Sequence, residues 1–471
     1  MQIMKKVNLL SAMRSVATPH SLARLKLKKA LTSPSRVMMV GFLLLILLGA
    51  YLLTLPAMST GEPLAFPDAL FTATSAVCVT GLSVIDPGTE LTGLGQLTLL
   101  LLIQVGGLGF MTFGTVLLIL LRRRITLSER LILSDSLNAD SLQGMVKLTL
   151  RILSVSLAIE GAGAVLLMTR MIPLHGPRGA WYAVFHAVSA FCNAGFDLAG
   201  GFETYRNDFV VLAVAMLLIT VGGLGFSVLF DLEKNRGRWQ RLSVHSKLVL
   251  VLSAILTFGG ALLYGIFEWN NPETLSGGIH PLMKPVNALF QAVTVRTAGF
   301  QTIPQTGLTP PALVMTLLLM LIGASPASTG GGIKTTTFGV FCLLVYNVLR
   351  GRSRIVVFRR TVNQPTVNRA VVLTTLALLL IVLAHIVLSV LLPASDTVNS
   401  SNLLYEVISA LATVGLTVGV TGELTTAGKL VMCVVMFTGR VGLMTIAFGL
   451  TRRHSQGRNS LSYPEGRIMI G

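Results

Sequence analysis

One pattern occurs four times along this 471-residue chain: a long apolar run, a short apolar run that ends near a glycine, and a second long apolar run. The short runs cover residues 66–79, 180–192, 285–295 and 402–412. At about 1.5 Å of rise per residue, a helix of this length is too short to cross a hydrocarbon core of ~30 Å. Each unit therefore predicts two full membrane spans with a re-entrant half-span between them.

The residues that end the short runs align from one unit to the next. The four triplets are Val79-Thr80-Gly81, Asn193-Ala194-Gly195, Thr297-Ala298-Gly299 and Thr413-Val414-Gly415. A single glycine would mark an ordinary turn between helices, but four in register, each after a half-span, favour a shared role. We predict an all-α polytopic membrane protein whose four tandem helix–pore-loop–helix repeats surround a central ion pore in a pseudo-fourfold arrangement.

The loops after the short helices suit a monovalent cation. Each short helix would direct the negative end of its dipole toward the common centre. Backbone carbonyl groups would follow, and the glycine permits a turn at which a Cβ atom would clash. Four converging sets of carbonyl groups can replace the water shell of such an ion. The side chains beside the glycines are small and uncharged, which favours carbonyl ligands over a ring of carboxylates.

Composition places the chain in a membrane. Its mean hydropathy is +0.75 and 12% of its residues are charged, which excludes a soluble protein of this length. A net charge of +18 would otherwise suggest a nucleic-acid partner, but the Lys and Arg residues are concentrated between alternate apolar runs. The positive-inside rule then places both termini in the cytoplasm. Membrane lipid, and no nucleic acid, is the expected partner of these basic segments.

The second long run of the third unit is interrupted. An apolar helix predicted to start at Ala312 meets a segment rich in glycine and serine at residues 323–334. About eleven residues of helix cross roughly half of the hydrocarbon core, so the interruption falls near mid-membrane. Irregular backbone at that depth must lie inside protein or beside water, which predicts a gate. Its residues are Gly323, Ser325, Ser328, Thr329, Gly330, Gly331, Gly332 and Lys334.

The shifts in composition give the organisation of the chain. Residues 1–35 are basic and partly amphipathic, as is typical of a helix on the anionic cytoplasmic leaflet; docking of a partner protein is the alternative. Repeats 1 to 4 are predicted at residues 36–121, 145–232, 246–349 and 370–451, and residues 452–471 form a cytoplasmic tail.

These motifs resemble the Trk/Ktr/HKT superfamily of potassium transporters, and the length and eight-span layout are most similar to the Ktr-type membrane (pore) subunit. The resemblance covers residues 36–471. The most specific pieces are Arg296-Thr-Ala-Gly-Phe300, Ser328-Thr-Gly-Gly-Gly-Ile-Lys-Thr335 and Gly439-Arg440-Val441-Gly442.

The resemblance carries further expectations. K⁺ would be the transported ion, held at a selectivity filter made by the carbonyl groups of residues 79–80, 193–194, 297–298 and 413–414 with the four glycines. Members that admit Na⁺ often have serine at the first of these glycines, so Gly81 favours K⁺, with Na⁺ left open as a second ion. A homodimer in the bacterial inner (plasma) membrane, a cytoplasmic ring of nucleotide-binding, RCK-type regulatory subunits, and no organic cofactor are also implied.

Three cationic side chains are predicted inside the membrane. Arg440 lies in the last apolar run, where placing an arginine costs about 2.5–3.5 kcal/mol on insertion scales. We assign it to the gate, as a positive barrier below the filter or as a structural residue bound by loop carbonyl groups. Lys334 would anchor the interrupted segment or line the pore. Arg296 would lie behind its loop, hydrogen-bonded to the loop backbone or to an acid such as Glu406.

Other functions are less favoured. Glu160, His186 and His385 could form a proton relay, but none has a second acid or histidine at helical spacing, so buried packing is preferred. A proton- or solute-coupled secondary carrier would typically show inverted repeats, whereas these all begin on the same side. A membrane-embedded enzyme would need a nucleophile–histidine pair, an aspartate pair or a metal cluster in the apolar runs, and the sequence shows none.

Overall fold

The computed structural model describes residues 34–109, 145–352, 354–393, 395–443 and 445–446. The predictions for residues 1–33, for the end of repeat 1 and for the tail at 452–471 lie outside this part of the chain. The described residues form fourteen α-helices. In chain order these are α1 (Pro34–Leu53), α2 (Phe66–Cys78), α3 (Gly93–Leu108), α4 (Met145–His175), α5 (Arg178–Cys192), α6 (Phe209–Leu224), α7 (Phe226–Lys234), α8 (Val244–Glu268), α9 (Lys284–Thr294), α10 (Pro310–Leu321), α11 (Thr335–Leu349), α12 (Gln364–Leu391), α13 (Ser400–Ala412) and α14 (Thr426–Val441).

The first helix of each predicted repeat is a candidate membrane span. Helices α1, α4, α8 and α12 are long and apolar enough to cross a bilayer. Their outer faces expose large apolar side chains, among them Leu44, Val165, Leu262 and Leu383. In water such surfaces would be unfavourable, whereas lipid chains solvate them.

The short helices α2, α5, α9 and α13 lie in the interior. Most residues of their C-terminal halves are fully buried. Local sequence sets their starts: Pro67 and Pro285 occupy first-turn positions, where a missing N–H is harmless, and the Asn399 side chain caps the backbone N–H of Asn402. The predicted half-span lengths agree with these four helices.

The second helices differ from the prediction, which placed an interruption in repeat 3 alone. Helices α3, α6 and α14 also end inside their apolar runs, at Gly109, Gly225 and Gly442, whose φ values are +89°, +90° and +92°. After Gly225 the chain bends by 92° into α7. Uninterrupted helices in repeats 1, 2 and 4 are therefore wrong, because this left-handed glycine conformation cannot continue a right-handed helix.

In repeat 3 the break has the predicted bounds. Helix α10 begins at Pro310, two residues before the predicted start, and ends at Leu321, while α11 begins at Thr335. The chain then continues to a hairpin of two strands, β1 (Val356–Val357) and β2 (Arg360–Thr361), before α12.

Glycine allows the second helices to contact the short helices closely. A Cβ atom on Gly106, Gly222 or Gly439 would overlap a backbone carbonyl oxygen of the neighbouring short helix. The carbonyl groups are those of Val77, Phe191 and Leu411, each four residues before the glycine of its loop. This contact fixes the depth at which each short helix ends.

Candidate functional site

Each short helix is followed by a turn of the same shape, and we call these four segments the glycine turns (residues 79–81, 193–195, 297–299 and 413–415). The first residue has a positive φ in every turn: +57° at Val79, +59° at Asn193, +71° at Thr297 and +51° at Thr413. The glycine that ends each turn is also left-handed, with φ between +71° and +92°. Four left-handed residues that are not glycine mark backbone held by its surroundings, as is common at functional sites.

The glycine turns contact one another in a closed cycle. A Cβ atom added to each glycine would overlap a carbonyl oxygen of the next turn in chain order, and the last turn meets the first. The pairs are Gly81 with Ala194 (2.5 Å), Gly195 with Ala298 (2.7 Å), Gly299 with Val414 (2.5 Å) and Gly415 with Thr80. The backbones of all four turns therefore meet at one place, where each turn brings a carbonyl group against the glycine of its neighbour.

A hydroxyl group inside each short helix holds its turn, and the sequence analysis missed these residues. Ser189 Oγ donates to Phe196 O (2.9 Å), Thr294 Oγ1 to Phe300 O (2.7 Å) and Ser409 Oγ to Leu416 O (2.7 Å). In the first turn, Ser75 Oγ accepts from the N–H of Gly81 (3.1 Å). The sequence does contain a pattern that marks these hydroxyl groups. A serine or threonine lies six residues before the loop glycine in repeats 1, 2 and 4, and five residues before it in repeat 3.

Removing one of these hydroxyl groups should loosen its turn. Ser409 Oγ also accepts from the N–H of Gly415 (3.1 Å), so Ser409→Ala breaks two buried hydrogen bonds. At about 1 kcal/mol each, we expect a lower melting temperature and a roughly threefold to tenfold loss of ion selectivity. Ser401→Ala, on the exposed first turn of the same helix, is the matched control. Equal selectivity and stability in the two variants would contradict this role for Ser409.

Beyond three of the four glycine turns, a buried polar side chain of the short helix supports the following loop. These side chains come directly after the aromatic residue of the short helix. His186 Nε2 lies 3.1 Å from Asp197 Oδ2, and Gln291 Nε2 donates to Gln305 Oε1 (2.7 Å). Glu406 accepts hydrogen bonds from Thr417 and Thr421 of its own loop. Burial alone would raise the pKa of Asp197, but His186 and two backbone N–H groups hold that pKa below its ordinary value.

The break (residues 323–334) lies against helix α6. The N–H groups of Ser325 and Thr329 donate to the carbonyl groups of Gly223 (3.0 Å) and Gly222 (3.2 Å). Thr329 Oγ1 donates to Phe191 O at the end of α5 (3.0 Å). Neighbouring helices therefore satisfy much of this irregular backbone, as we expected for a break at mid-membrane.

Within the break, the chain closes on itself. Lys334 Nζ donates to Gly330 O (2.7 Å), and Ser328 Oγ donates to Ser325 O (2.6 Å). Its two ends are adjacent, because Gly323 N donates to Ile333 O (2.9 Å). Gly332, with a φ of +68°, forms part of this closure. Lys334 thus anchors the loop, one of the two roles predicted for it.

The tip of the break lies directly against two of the glycine turns. A Cβ atom on Gly330 would overlap Thr297 Oγ1, and one on Gly331 would overlap Thr413 Oγ1. Only glycine fits in this space. The break therefore covers one end of the place where the four turns meet.

Arg440 joins three of the predicted repeats. From α14, its guanidinium donates to Thr329 O in the break and to the carbonyl groups of Gly106 and Gly107 (2.9 Å) at the end of α3. No carboxylate of the described residues lies within 4.0 Å of it. The structural role that we considered for Arg440 is thus present, and its charge lies beside the break.

Arg296 has different partners from those predicted. Its guanidinium points away from the glycine turns to α8, where it donates to Thr257 Oγ1 (3.2 Å) and Ser253 Oγ (3.2 Å). The predicted contact with Glu406 is wrong, because that carboxylate is occupied by its own loop. No carboxylate of the described residues lies within 4.0 Å of the Arg296 guanidinium, and hydroxyl groups bind this cation instead.

The three polar residues of the apolar runs do not form a chain of proton carriers. Glu160 binds the Gln104 amide through both oxygens (3.0 Å each), and His186 pairs with Asp197. In α12, His385 Nε2 lies 3.2 Å from Oγ of Ser400, the first residue of α13. Each has a hydrogen-bonding partner. Glu160 and His186 are buried, which agrees with the preferred interpretation of buried packing, whereas His385 is only half-buried. The described residues contain no cluster of three His, Cys, Asp or Glu that could hold a metal ion.

Comparisons with known proteins give a consistent result. The model of the TrkH family, described as a cation transport protein, matches residues 26–462. The chain is 41% identical over 441 residues to Ktr system potassium uptake protein B of Bacillus subtilis (strain 168), covering 93% of this chain and 97% of that protein. It is 40% identical over 443 residues to the potassium/sodium uptake protein NtpJ of Enterococcus hirae, with the same two coverages.

A solved structure shows the same fold. The crystal structure of the potassium transporter TrkH from Vibrio parahaemolyticus superimposes with a TM-score of 0.71 at 18% sequence identity, covering 89% of this chain and 85% of that one. At this identity the likeness concerns the fold alone, which is mostly helical in both cases.

Proposed function

This chain belongs to the TrkH family of cation transport proteins, so it is a multi-pass membrane transporter and not an enzyme, and from that premise we propose that it takes up K⁺ across the cell membrane. The relatives at about 40% identity are named for potassium uptake, one of them for potassium and sodium. K⁺ is thus the cargo of the protein, and Na⁺ is a second ion to be tested.

One observation carries the proposal of a pore, namely the closed cycle of the four glycine turns. Each turn contributes carbonyl groups, and each glycine contacts a carbonyl oxygen of the next. In a pseudo-fourfold arrangement of the predicted repeats, these carbonyl groups form the selectivity filter and replace the water around K⁺. The hydroxyl groups behind the turns keep the carbonyl groups in place, so that the smaller Na⁺ is bound less well.

The break is the proposed gate. Gly330 and Gly331 lie against Thr297 and Thr413. In this proposal they stand at the inner end of the filter and block the path of an ion there. Lys334 and Arg440 hold it there through its own carbonyl groups. Because these contacts are hydrogen bonds to a segment with three successive glycines, the segment can withdraw as a unit.

The regulatory partner belongs on the basic face. In this proposal both termini and the loops at 234–247 and 350–363 are cytoplasmic. These two loops touch through the rings of Trp239 and Phe358, whose centroids are 6.2 Å apart, and both carry several arginines. A cytoplasmic ring of RCK-type subunits can bind there and act on α11, which leads directly from the break. A homodimer in the bacterial plasma membrane completes the proposed assembly.

The central test is ⁸⁶Rb⁺ uptake into proteoliposomes that contain the purified protein. Uptake that K⁺ inhibits at lower concentration than Na⁺ is the expected result. Protein-free liposomes measure the leak. Uptake no faster than this leak would refute the transport of K⁺, and equal inhibition by Na⁺ would refute a K⁺-selective filter.

Changing Arg440 tests the gate. We expect Arg440→Ala to raise Rb⁺ flux by roughly tenfold, because it removes the hydrogen bonds that hold Thr329 and a positive charge beside the path. Arg440→Lys keeps the charge but not the planar fork that joins the break to α3, so its flux should lie between those of the parent and Arg440→Ala. Parental flux in both folded variants would mean that Arg440 has no part in gating.

A further inference from the structure

The guanidinium of Arg296 carries a charge that its neighbours compensate poorly. Its terminal nitrogens donate to Thr257 Oγ1 (3.2 Å), to Ser253 Oγ (3.2 Å) and, at 3.4 Å, to the Ser253 carbonyl group. Its Nε atom is shielded from solvent, and no acceptor within the described ranges binds it. In the same part of the chain, no acid forms an ion pair with it. A cation with one unused donor is therefore held in the apolar part of the protein.

The comparison with Arg440 shows what is missing. The Arg440 guanidinium donates to three backbone carbonyl groups, two of them at the C-terminal end of α3. That end of a helix is the negative end of its dipole. The acceptors of Arg296 lie instead near the middle of α8, and two of the three are hydroxyl oxygens. Arg296 thus lacks the negative charge that Arg440 receives.

A cavity of about 20 Å³ adjoins the Arg296 guanidinium. Ser253 and Thr257 are among its polar lining residues, and Ile219 and Val293 are among its apolar ones. A space of ~10–15 Å³ is enough for one water molecule. The cavity can therefore hold one water molecule or one halide ion, which is slightly larger, whereas sulfate and gluconate are too large for it.

Charge favours an anion over water as the guest. A buried water molecule typically makes about three hydrogen bonds, and it needs acceptors for its own protons. The two hydroxyl oxygens beside the cavity already accept from Arg296, and the apolar walls offer no acceptor. Water would also leave the positive charge uncompensated, which is costly in the apolar part of a membrane protein. A halide ion accepts the free N–H and cancels the charge.

We propose that this cavity binds one chloride ion, which accepts the Nε–H of Arg296 and neutralises its guanidinium. The ion would lie between two parts of the transport path. Arg296 directly precedes the third glycine turn, and Ala324 of the break lines the cavity. Gly223, another lining residue, accepts the hydrogen bond of Ser325 N that holds the break against α6.

The ion has a consequence for transport that rests on the proposed function as a K⁺ transporter. A positive charge close to the filter repels a cation within it, and this repulsion is strong where water is excluded. Bound chloride removes the repulsion, so K⁺ binds more tightly when the cavity is occupied.

The first test measures binding without transport. Purified protein in detergent, at a fixed K⁺ concentration with gluconate as the replacement anion, is expected to bind about one ³⁶Cl⁻ per chain, displaced by Br⁻. Because a ligand of the folded state stabilises it, the melting temperature should rise by a few degrees as chloride replaces gluconate. If ³⁶Cl⁻ does not bind in a saturable manner, the cavity holds water and the proposal is wrong.

Arg296→Gln removes the charge and should abolish both the binding of ³⁶Cl⁻ and the response of the melting temperature. Arg170→Gln is the matched control, because it removes an equal charge from an exposed pair with Asp208 (2.8 Å) and should keep both. Equal chloride binding in the two variants would place the ion elsewhere and overturn the site. The measurements on the parent decide the question even if Arg296→Gln does not fold.

Uptake of ⁸⁶Rb⁺ into proteoliposomes tests the consequence for transport. Replacing chloride with gluconate should raise the KM for ⁸⁶Rb⁺ by roughly threefold to tenfold in the parent and in Arg170→Gln, but not in Arg296→Gln. A KM independent of chloride in the parent would refute the neutralising role. If the parent shows no uptake above the leak, the proposed function has failed, whereas ³⁶Cl⁻ binding still decides the site.

Discussion

Gly81→Ser is expected to reduce the preference for K⁺ over Na⁺ by about tenfold or more, which corresponds to ~1.4 kcal/mol. Gly81 has a φ of +92°, and a Cβ atom there would lie 2.5 Å from the carbonyl oxygen of Ala194. The serine must therefore displace a carbonyl group of the neighbouring turn, which belongs to the proposed filter, and its hydroxyl would add a ligand that a smaller ion can use. The measurement is inhibition of ⁸⁶Rb⁺ uptake by K⁺ and by Na⁺.

Gly200→Ser is the matched control for backbone strain. Gly200 also has a positive φ, of +81°, but nothing lies within 4 Å of its added Cβ atom. The control should therefore keep the parental selectivity, although both variants force serine into a left-handed conformation. If Gly81→Ser selects as the parent does, or if Gly200→Ser loses selectivity to the same extent, Gly81 does not belong to the filter.

Deleting residues 325–331 is expected to raise Rb⁺ flux by roughly tenfold to a hundredfold in protein without its regulatory partner. The minor state of a protein with two conformations is typically populated at about 0.1–10%, so a protein that can no longer close gains flux by a factor of this order. The flux should also no longer respond to the partner. The deletion removes the tip that lies against Thr297 and Thr413 of the proposed filter, and it removes the carbonyl group bound by Arg440.

The structure indicates that the shortened chain can still fold. The residues that the deletion joins lie close together, since Gly323 N donates to Ile333 O (2.9 Å) and Thr335 N to Ala324 O (3.3 Å). Ser328→Ala, which removes a single hydrogen bond within the loop, is the control and should keep parental flux and regulation. A folded deletion variant with parental flux, still controlled by the partner, would mean that gating lies elsewhere.

The sequence alone determined those features that depend on neighbours along the chain. The lengths of the apolar runs predicted eight full spans and four half-spans, because the thickness of a bilayer relates the length of a run to its topology. Four of these spans and the four short helices are present in the structure, whereas the second helices are broken. The repeated triplets located the glycine turns, where each glycine has the left-handed φ that its position suggested. The run of glycines at 330–332 located the break, since no helix can be stable there.

The breaks of α3, α6 and α14 were hidden in the sequence. Each follows a motif such as Gly106-Gly107-Leu108-Gly109, in which the first glycine permits close helix packing and the last one turns the chain. Glycine is compatible with both uses, and its apolar neighbours favour a continuous helix. Contact with the short helices and, for Gly225, with the break selects the turn, so that the outcome depends on the tertiary structure.

The partners of the buried cations were also decided only in three dimensions. Arg440 binds carbonyl groups that lie 111 and 333 residues earlier in the chain, and Arg296 turns to α8 rather than to Glu406. An arginine side chain reaches several ångströms in any direction, so its local sequence cannot select among distant acceptors. The sequence determined that these charges are buried, because an apolar run surrounds them; the packing of the repeats decided which oxygen atoms stabilise them.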